Sequence, residues 1–329
     1  MKNIIIVGTG KAAYLHHLKY KKLGYQNIYF LDNKITKTYI DSTNIFYSID
    51  SLLSTNIFEP EYTVVDICTP CSIFMDIIDD FISKGMINFI VEKPFIVPDN
   101  YFDDKEGIKF IMMENYKYSL ITNDIIKFLK SQNVNIKKIR IDFSKDRINE
   151  SMSKRGISSD NIPTNFEIEM PHEIYLADYL VDNGVKHYHT IYLENMKRGD
   201  VTLPKHGYGL IKYVRNDVEI VLESNLMKNP NRRFIEIEFD GGFIRANYII
   251  YDGLFNKKND GVIEITTGSD KKTLYYDLDD NMYYSLKRYL YDLDKGLNIS
   301  TYKSEILNFS QTLNYVIKNE GLEINGKSR

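Results

Sequence analysis

Residues 4–13 read IIIVGTGKAA and decide the fold of this 329-residue chain. A short apolar strand runs directly into the pattern Gly-x-Gly-x-x-Ala, and a helical segment follows at once. The first glycine permits a tight turn, the second lets the main chain approach a pyrophosphate, and the small third residue lets helix and strand pack closely. The helix N-terminus attracts negative charge. The stretch therefore predicts a dinucleotide site formed by Gly8, Thr9, Gly10, Lys11, Ala12 and Ala13.

A carboxylate ends the second predicted strand, 28–31. Asp32 follows Gly10 by about twenty residues, which is the separation expected of the acid that binds the adenosine ribose. Asp32 and its neighbour Asn33 are therefore predicted cofactor residues, and a solvated aspartate in a turn is the alternative. An acid at this position repels a 2′-phosphate, so the sequence favours NAD over NADP, although Lys34 nearby weakens the preference.

The two halves of the chain have different hydrophobic patterns. In the first half, strands are predicted at 4–7, 28–31, 63–68, 87–91 and 108–113, with helices at 12–23, 48–53 and 72–84 between them. This alternation predicts a parallel, doubly wound Rossmann sheet. In the second half, period-two alternation between 186 and 277 predicts an antiparallel sheet, and two helices finish the chain.

The predicted fold class is therefore α/β, with two domains. Residues 1–115 form a dinucleotide-binding Rossmann domain. Residues 116–329 form a C-terminal α+β domain with a large, mostly antiparallel sheet, which binds the substrate and carries the oligomer interface. Large side chains such as Phe234, Tyr248 and Tyr251 are expected on the open face of this sheet, so we expect a homodimer or homotetramer.

Composition narrows the classes of partner and compartment. The net charge of −3 gives no electrostatic reason to expect nucleic acid or an anionic membrane. No apolar stretch approaches the length of a membrane span, and the apolar run at 4–7 is too short for the core of a signal peptide. A cytoplasmic protein is therefore expected. The two cysteines, Cys68 and Cys71, have redox-pair spacing, but we expect thiols at a strand-to-helix turn. No set of residues has the spacing of a metal site, so no metal is expected.

Two further segments carry side chains suited to proton transfer. Glu92-Lys93-Pro94 directly follows the strand 87–91. The carboxyl end of such a strand faces the ligand crevice, which places Lys93 there rather than on the outer surface. His172 follows Pro171, and proline is typical of the first turn of a helix. From this position the His172 imidazole can point into the cleft. The alternatives are that Lys93 is an ordinary exposed lysine and that His172 only hydrogen-bonds backbone groups at the start of its helix.

Together these motifs resemble the glucose–fructose oxidoreductase and inositol dehydrogenase family (Gfo/Idh/MocA). The resemblance covers essentially the whole chain and rests on residues 8–13, Asp32, Thr69-Pro70, 92–94, 115–117 and His172. It implies hydride transfer between NAD and a secondary alcohol or ketone of a sugar, nucleotide sugar or cyclitol. It also implies that Lys93 handles the proton at the reacting oxygen and that His172 assists. Thr69, Pro70 and Glu92 would contact the cofactor, and Asn115, Lys117 and Glu169 the substrate.

Some positions depart from the family pattern. Ile168 stands where the family has an aspartate four residues before the histidine, so Glu169 or Glu173 is expected to replace it. Lys117 stands where many relatives have arginine. His16 and His17 are expected on the solvated face of the first helix, and the alternative is that one of them faces the cofactor pocket. The missing aspartate keeps two enzyme alternatives open, an imine reductase and an NAD-recycling glycoside-processing enzyme. A non-catalytic NAD-sensing regulator on the same fold is the third alternative.

Overall fold

A computed structural model describes residues 1–33, 44–55, 57–154, 163–181, 184–251 and 256–323. Lys34, which weakens the predicted preference for NAD, lies outside these residues. Contacts between Cα atoms divide the chain into two units. The first unit is Met1–Asn115 with Asn281–Gln311, and the second is Tyr116–Asp280 with Thr312–Arg329.

The first unit is built on a six-stranded parallel sheet. Its elements are β1 (Asn3–Val7), α1 (Lys11–Lys22), β2 (Ile28–Leu31), β3 (Ile45–Phe46), α2 (Ile49–Leu53), β4 (Thr63–Ile67), α3 (Phe74–Ser83), β5 (Asn88–Val91) and β6 (Lys109–Met112). The strand order is β3-β2-β1-β4-β5-β6, and every neighbouring pair is parallel. The predicted doubly wound sheet is confirmed.

The central strands of this sheet have no polar face. Every residue of β1, β4 and β5 is buried, because helices cover both faces of a parallel sheet of this kind. The strand order reverses between β1 and β4. Ligands of doubly wound sheets bind outside the carboxyl ends of the strands at such a reversal, so the order fixes where a cofactor site can form.

The second unit is built on an eight-stranded sheet. Its elements are α4 (Leu120–Gln132), β7 (Ile136–Asp146), α5 (Ile148–Lys154), α6 (Asn165–Ile168), α7 (Pro171–Leu180), β8 (His187–Leu193), β9 (Met196–Arg198), β10 (Val201–Leu203), β11 (Tyr208–Arg215), β12 (Val218–Asn225), β13 (Met227–Phe239), β14 (Gly242–Asn247), β15 (Gly261–Thr267) and β16 (Asp270–Tyr276). The order is β16-β15-β14-β13-β7-β12-β11-β8, and only the β7–β12 pair among these described strands is parallel. The predicted large, mostly antiparallel sheet is confirmed.

The outer face of this sheet carries charged side chains together with a few exposed aromatic ones. Of the three aromatic residues expected there, Phe234 lies on it, between the guanidinium groups of Arg140 and Arg245 at 5.5 and 5.7 Å. Tyr248 faces the opposite side, buried against Phe143, and Tyr251 lies outside the named strands. The expectation was wrong for Tyr248 and Tyr251. Aromatic residue type alone does not show which face of the sheet a side chain occupies, because that depends on the bounds and register of each strand.

The two C-terminal helices, α8 (Asn281–Lys295) and α9 (Ile299–Lys318), carry most of their residues in the first unit. Lys109 donates to the main-chain oxygen of Leu293 at 2.9 Å, and α8 packs on α1. The predicted second domain therefore differs from the observed unit over Asn281–Gln311, because an amphipathic pattern does not reveal which sheet a helix covers. Of the helices described, α9 is the longest at 20 residues, and none is apolar enough to cross a membrane.

Candidate active site

The turn after β1 requires glycine at position 8. Gly8 has a φ of +102°, in the left-handed region that side chains disfavour. A Cβ atom added there would lie 3.0 Å from the main-chain oxygen of Cys68. The turn therefore brings the chain close to the end of β4, as the sequence predicted for a tight turn.

Gly10 is the N-cap residue of α1, and no described side chain crowds it. A Cβ atom added at Gly10 would meet no described atom within 4 Å, and its backbone is in the extended conformation usual for an N-cap. The first N–H groups of a helix have no partner within the helix and attract anions. The position therefore offers both the room and the donors that a pyrophosphate needs.

Asp32 and Thr69 complete the arrangement that would hold a dinucleotide. The Thr9 hydroxyl donates to Asp32 Oδ2 at 2.6 Å, which fixes the carboxylate just beyond the end of β2. The Thr69 hydroxyl is buried and has no hydrogen-bond partner within the described ranges. Asn33 is exposed next to Asp32. These residues fit a dinucleotide, because a positioned acid, an open helix N-terminus and an unsatisfied hydroxyl all border the carboxyl ends of the strands.

The cysteines near this turn do not form a disulfide. Cys68 is buried at the end of β4, and Cys71 begins a short 3-10 turn after Pro70. Burial is the largest cause that raises the pKa of the Cys68 thiol above its ordinary range, and the charge of Asp66 adds to it. A protonated, buried thiol is a poor nucleophile, which does not favour a redox role.

Glu92 and Lys93 directly follow β5, as predicted. Glu92 Oε2 accepts a hydrogen bond from the main-chain N–H of Lys93 at 3.2 Å. Burial alone would raise the pKa of Glu92, but the hydrogen bond from His16 and the positive charges of His16 and Lys93 lower it. Glu92 is therefore an ionised carboxylate next to the candidate catalytic lysine.

His16 is not on a solvated face of α1. Its ring is fully buried, with Nδ1 2.7 Å from Asp66 Oδ2 and Nε2 3.0 Å from Glu92 Oε1. The expectation of a solvated histidine was wrong, because Asp66 lies within the buried strand β4 and needs a polar partner. Tyr20 also donates to Asp66 Oδ2, at 2.8 Å.

Asn115 lies at the end of the first unit. Its side-chain oxygen is buried and has no hydrogen-bond partner among the residues that are described, while its main-chain oxygen accepts from Ser285 at 3.1 Å. An unsatisfied buried amide oxygen can accept a hydrogen bond from a ligand hydroxyl. Its role as a substrate residue stays a prediction.

In the second unit, His172 lies on α7 and is paired with a tyrosine. His172 Nδ1 is 3.0 Å from the Tyr175 hydroxyl, whose oxygen accepts from the main-chain N–H of Tyr116 at 3.2 Å. The Tyr175 hydroxyl therefore lies between the His172 ring and the main chain of Tyr116 and restricts the orientation of the ring. Ile168, which replaces the family aspartate, is a buried apolar side chain.

Glu169 belongs to a buried ion cluster. Its carboxylate binds Arg233 on β13, and Glu169 Oε2 is 2.5 Å from Lys145 Nζ on β7. Burial, with the charges of Arg233 and Arg147, lowers the pKa of Lys145 to about 7 against the opposing charge of Glu169. The predicted substrate residue Glu169 is therefore bound by two basic side chains of the sheet.

Glu173 and Lys117 are also buried. Glu173 Oε1 accepts from the main-chain N–H of Phe143 at 2.9 Å, yet burial raises the pKa of Glu173 well above its ordinary value. Burial therefore favours the protonated form of Glu173. The Lys117 ammonium lies 5.0 Å from the centre of the Tyr179 ring. Lys117, Glu169 and His172 thus belong to the second unit, and the predicted cofactor residues and Lys93 belong to the first.

Several polar residues of these clusters were not predicted from the sequence. Tyr175 had a local signal, since it lies three residues after His172 and so on the same helix face. Asp66 also had one, because an acid inside a buried strand must have a partner. Lys145 and Arg233 had none, because only the pairing of β7 with β13 brings them to one carboxylate.

The comparisons with known proteins support the fold. No protein-family model matches the chain, and no curated protein matches its sequence. A 3-ketoreductase from Actinomadura kijaniata, in complex with TDP-benzene and NADP, has a TM-score of 0.74 at 12% identity over 97% of each chain. An aldose-aldose oxidoreductase from Caulobacter crescentus, complexed with glycerol, has a TM-score of 0.75 at 12% identity over 97% of each chain. The chain has the fold of these oxidoreductases.

A dehydrogenase (MviM) from Clostridium difficile also has this fold, with a TM-score of 0.72 at 14% identity. The match covers 96% of this chain and 99% of that chain. At these identities the likeness establishes the fold. The resemblance to the Gfo/Idh/MocA family, and the role of each site residue, stay predictions.

Proposed function

We propose that this chain is an NAD-dependent oxidoreductase that acts on a secondary alcohol or ketone of a sugar, nucleotide sugar or cyclitol. One observation carries the proposal: the glycine turn, Asp32 and Glu92-Lys93 follow the carboxyl ends of β1, β2 and β5, which are parallel strands of one sheet. That edge holds the ligand in doubly wound sheets. The similar folds of a 3-ketoreductase and an aldose-aldose oxidoreductase support it.

The glycine turn and the N-terminus of α1 would hold the pyrophosphate, and Asp32 would accept hydrogen bonds from the adenosine ribose. The preference for NAD rests on Asp32, because a carboxylate fixed by Thr9 repels a 2′-phosphate. The 3-ketoreductase of the same fold binds NADP, so this preference needs its own measurement. A bound nicotinamide would supply the hydride chemistry.

Lys93 would give a proton to the reacting oxygen, or take it, depending on the direction of the reaction. Its ammonium has three donors and no acceptor, so the protonated form can bind the oxygen of a ketone. His172 would assist this proton transfer, with its ring oriented by the contact between Nδ1 and the Tyr175 hydroxyl. A proton-transfer group of this kind contributes about a hundredfold to ten-thousandfold in rate.

The test is cofactor reduction by a panel of sugars, nucleotide sugars and cyclitols, with wild-type protein and Lys93→Ala. We expect Lys93→Ala to lower turnover by on the order of a hundredfold or more with little change in NAD affinity. Lys84→Ala is the matched control, because Lys84 is paired with Asp50 on the surface of the same unit. Near-normal turnover of Lys93→Ala would refute the mechanism. Saturable NAD binding without turnover of any compound would favour the regulator alternative.

A further inference from the structure

A buried histidine is bound by two carboxylates within the first unit. His16 and Asp66 are fully buried, and the two ring nitrogens of His16 point to Asp66 and Glu92. Ionised carboxylates accept hydrogen bonds and do not donate them, so both ring nitrogens must donate. The ring therefore holds two protons and one positive charge. Burial is the largest single influence and works against this state, but the charges and hydrogen bonds of Asp66 and Cys68 together outweigh it, so the pKa of His16 is raised well above its ordinary value.

The charges along this network alternate in sign. Asp66 is negative, His16 positive, Glu92 negative and Lys93 positive, so each buried charge has an opposite neighbour. Removal of His16 would leave two carboxylates in the interior without their shared cation, which is costly in a site of low dielectric. Tyr20 would remain as a donor to Asp66, whereas Glu92 would lose the hydrogen bond at its Oε1 atom.

The network reaches the candidate catalytic residue through Glu92. One carboxylate oxygen of Glu92 accepts from His16, and the other accepts from the main-chain N–H of Lys93. We propose that His16 is a positioning residue that holds the Glu92 carboxylate against the Lys93 main chain and so fixes Lys93 for proton transfer. The proposal rests on the proposed function, which gives Lys93 that proton transfer.

The same cluster has the residue types of a metal site. Ligand atoms of His16, Asp66 and Cys68 lie within 4.8 Å of one another, and all three residues are buried. The Cys68 sulfur, however, lies within hydrogen-bonding distance of both neighbours, 3.6 Å from Asp66 Oδ1 and 3.5 Å from His16 Nδ1. Asp66 Oδ2 already receives hydrogen bonds from His16 and Tyr20. These contacts favour a hydrogen-bonded network.

Two amide substitutions separate the two contacts of His16. The Asn amide reaches about as far as Nδ1, so His16→Asn keeps a donor toward Asp66 and loses the contact with Glu92. The Gln amide reaches about as far as Nε2, so His16→Gln keeps a donor toward Glu92. His17→Asn is the matched control, because His17 is the next residue of α1 and its ring packs on Phe30.

The first readout does not need turnover. Amide hydrogen exchange of Lys93, followed by NMR on lysine-labelled protein, should be slow in wild type and in His16→Gln and at least tenfold faster in His16→Asn. Nitrogen NMR of labelled histidine should find one ring with protons on both nitrogens above neutral pH, and that signal should vanish in either His16 variant. A neutral His16 ring, unchanged Lys93 exchange in His16→Asn, or a stoichiometric metal in the purified protein would overturn the proposal.

The second readout is a comparison of kcat with stability. His16→Asn should lower kcat by on the order of tenfold to a hundredfold, the scale of a misplaced reacting group, with little change in KM for the cofactor. His16→Gln should keep more of kcat than His16→Asn even where its thermal stability is lower. If kcat simply follows stability across the variants, His16 is structural and the proposal fails. If the exchange results hold but wild type turns over no substrate, the proposed function fails and the network stands.

Discussion

Gly10→Asp should separate the stability of the folded protein from its affinity for the cofactor. Gly10 caps α1 in an extended conformation, and a Cβ atom there would meet no described atom within 4 Å. Aspartate is among the best N-cap residues, and its charge is favourable at a helix N-terminus. The variant should therefore fold as well as wild type, with the unfolding free energy unchanged or raised by about 0.5–1 kcal/mol.

Cofactor affinity should change in the opposite direction. The new carboxylate would occupy the space proposed for the pyrophosphate. Two like charges about 4 Å apart near a protein surface repel by about 4 kcal/mol, and each 1.4 kcal/mol is about tenfold in affinity. Salt and side-chain rotation reduce the effect, so we expect NADH affinity to fall by on the order of a hundredfold or more. Gly10→Asn, which has the same size without the charge, should lie between wild type and Gly10→Asp.

The assay is thermal unfolding with and without NADH, together with calorimetric titration. Wild type should gain stability from NADH, and Gly10→Asp should not, although its own unfolding temperature is at least that of wild type. NADH affinity within threefold of wild type in Gly10→Asp would refute the assignment of this helix N-terminus to the pyrophosphate. A large loss of stability without ligand would refute the view that Gly10 faces open space.

Four further predictions follow from other parts of the structure. Asp32→Ala should weaken NAD binding and narrow the preference over NADP, and calorimetric titration of both cofactors checks this. Tyr175→Phe should lower kcat by less than His172→Ala does, and equal losses in steady-state assays would contradict the orienting role of Tyr175. The pKa of Lys145 is about 7 in the folded chain and 10.5 ordinarily. Between these pH values the unfolded chain binds more protons than the folded chain, so the free energy of unfolding should rise with pH. Denaturant titrations at several pH values should show a smaller rise for Lys145→Met. Light scattering should find a dimer or tetramer, because Phe243 and Tyr192 are exposed on the eight-stranded sheet, and a monomer at micromolar concentration would contradict this.

The sequence predicted those parts of the fold and site that are encoded locally. The glycine turn needs only neighbouring residues, since the φ of Gly8 and the open position of Gly10 follow from the passage of strand into helix. The continuous apolar sequence of β1 and the alternation of apolar and polar residues along β13 likewise each lie within one segment. Such features can be recognised without knowing which segments meet in space.

Partners that depend on pairing between distant segments could not be predicted. His16 and Asp66 are fifty residues apart, and their hydrogen bond requires α1 to pack against β4. Arg233 and Lys145 reach Glu169 only in the observed register of β7 with β13. A shift of that register by one residue would turn each strand side chain to the other face of the sheet.

The central claim is that the open N-terminus of α1 is a nicotinamide dinucleotide site. Titration of the full chain with NADH and NADPH, followed by nicotinamide fluorescence, tests it most directly, because the protein has no tryptophan to overlap with the cofactor signal. We predict one saturable site per chain, with NADH bound more tightly than NADPH. Tighter binding of NADPH would contradict the role of Asp32, and the absence of saturable binding of either dinucleotide would contradict the central claim.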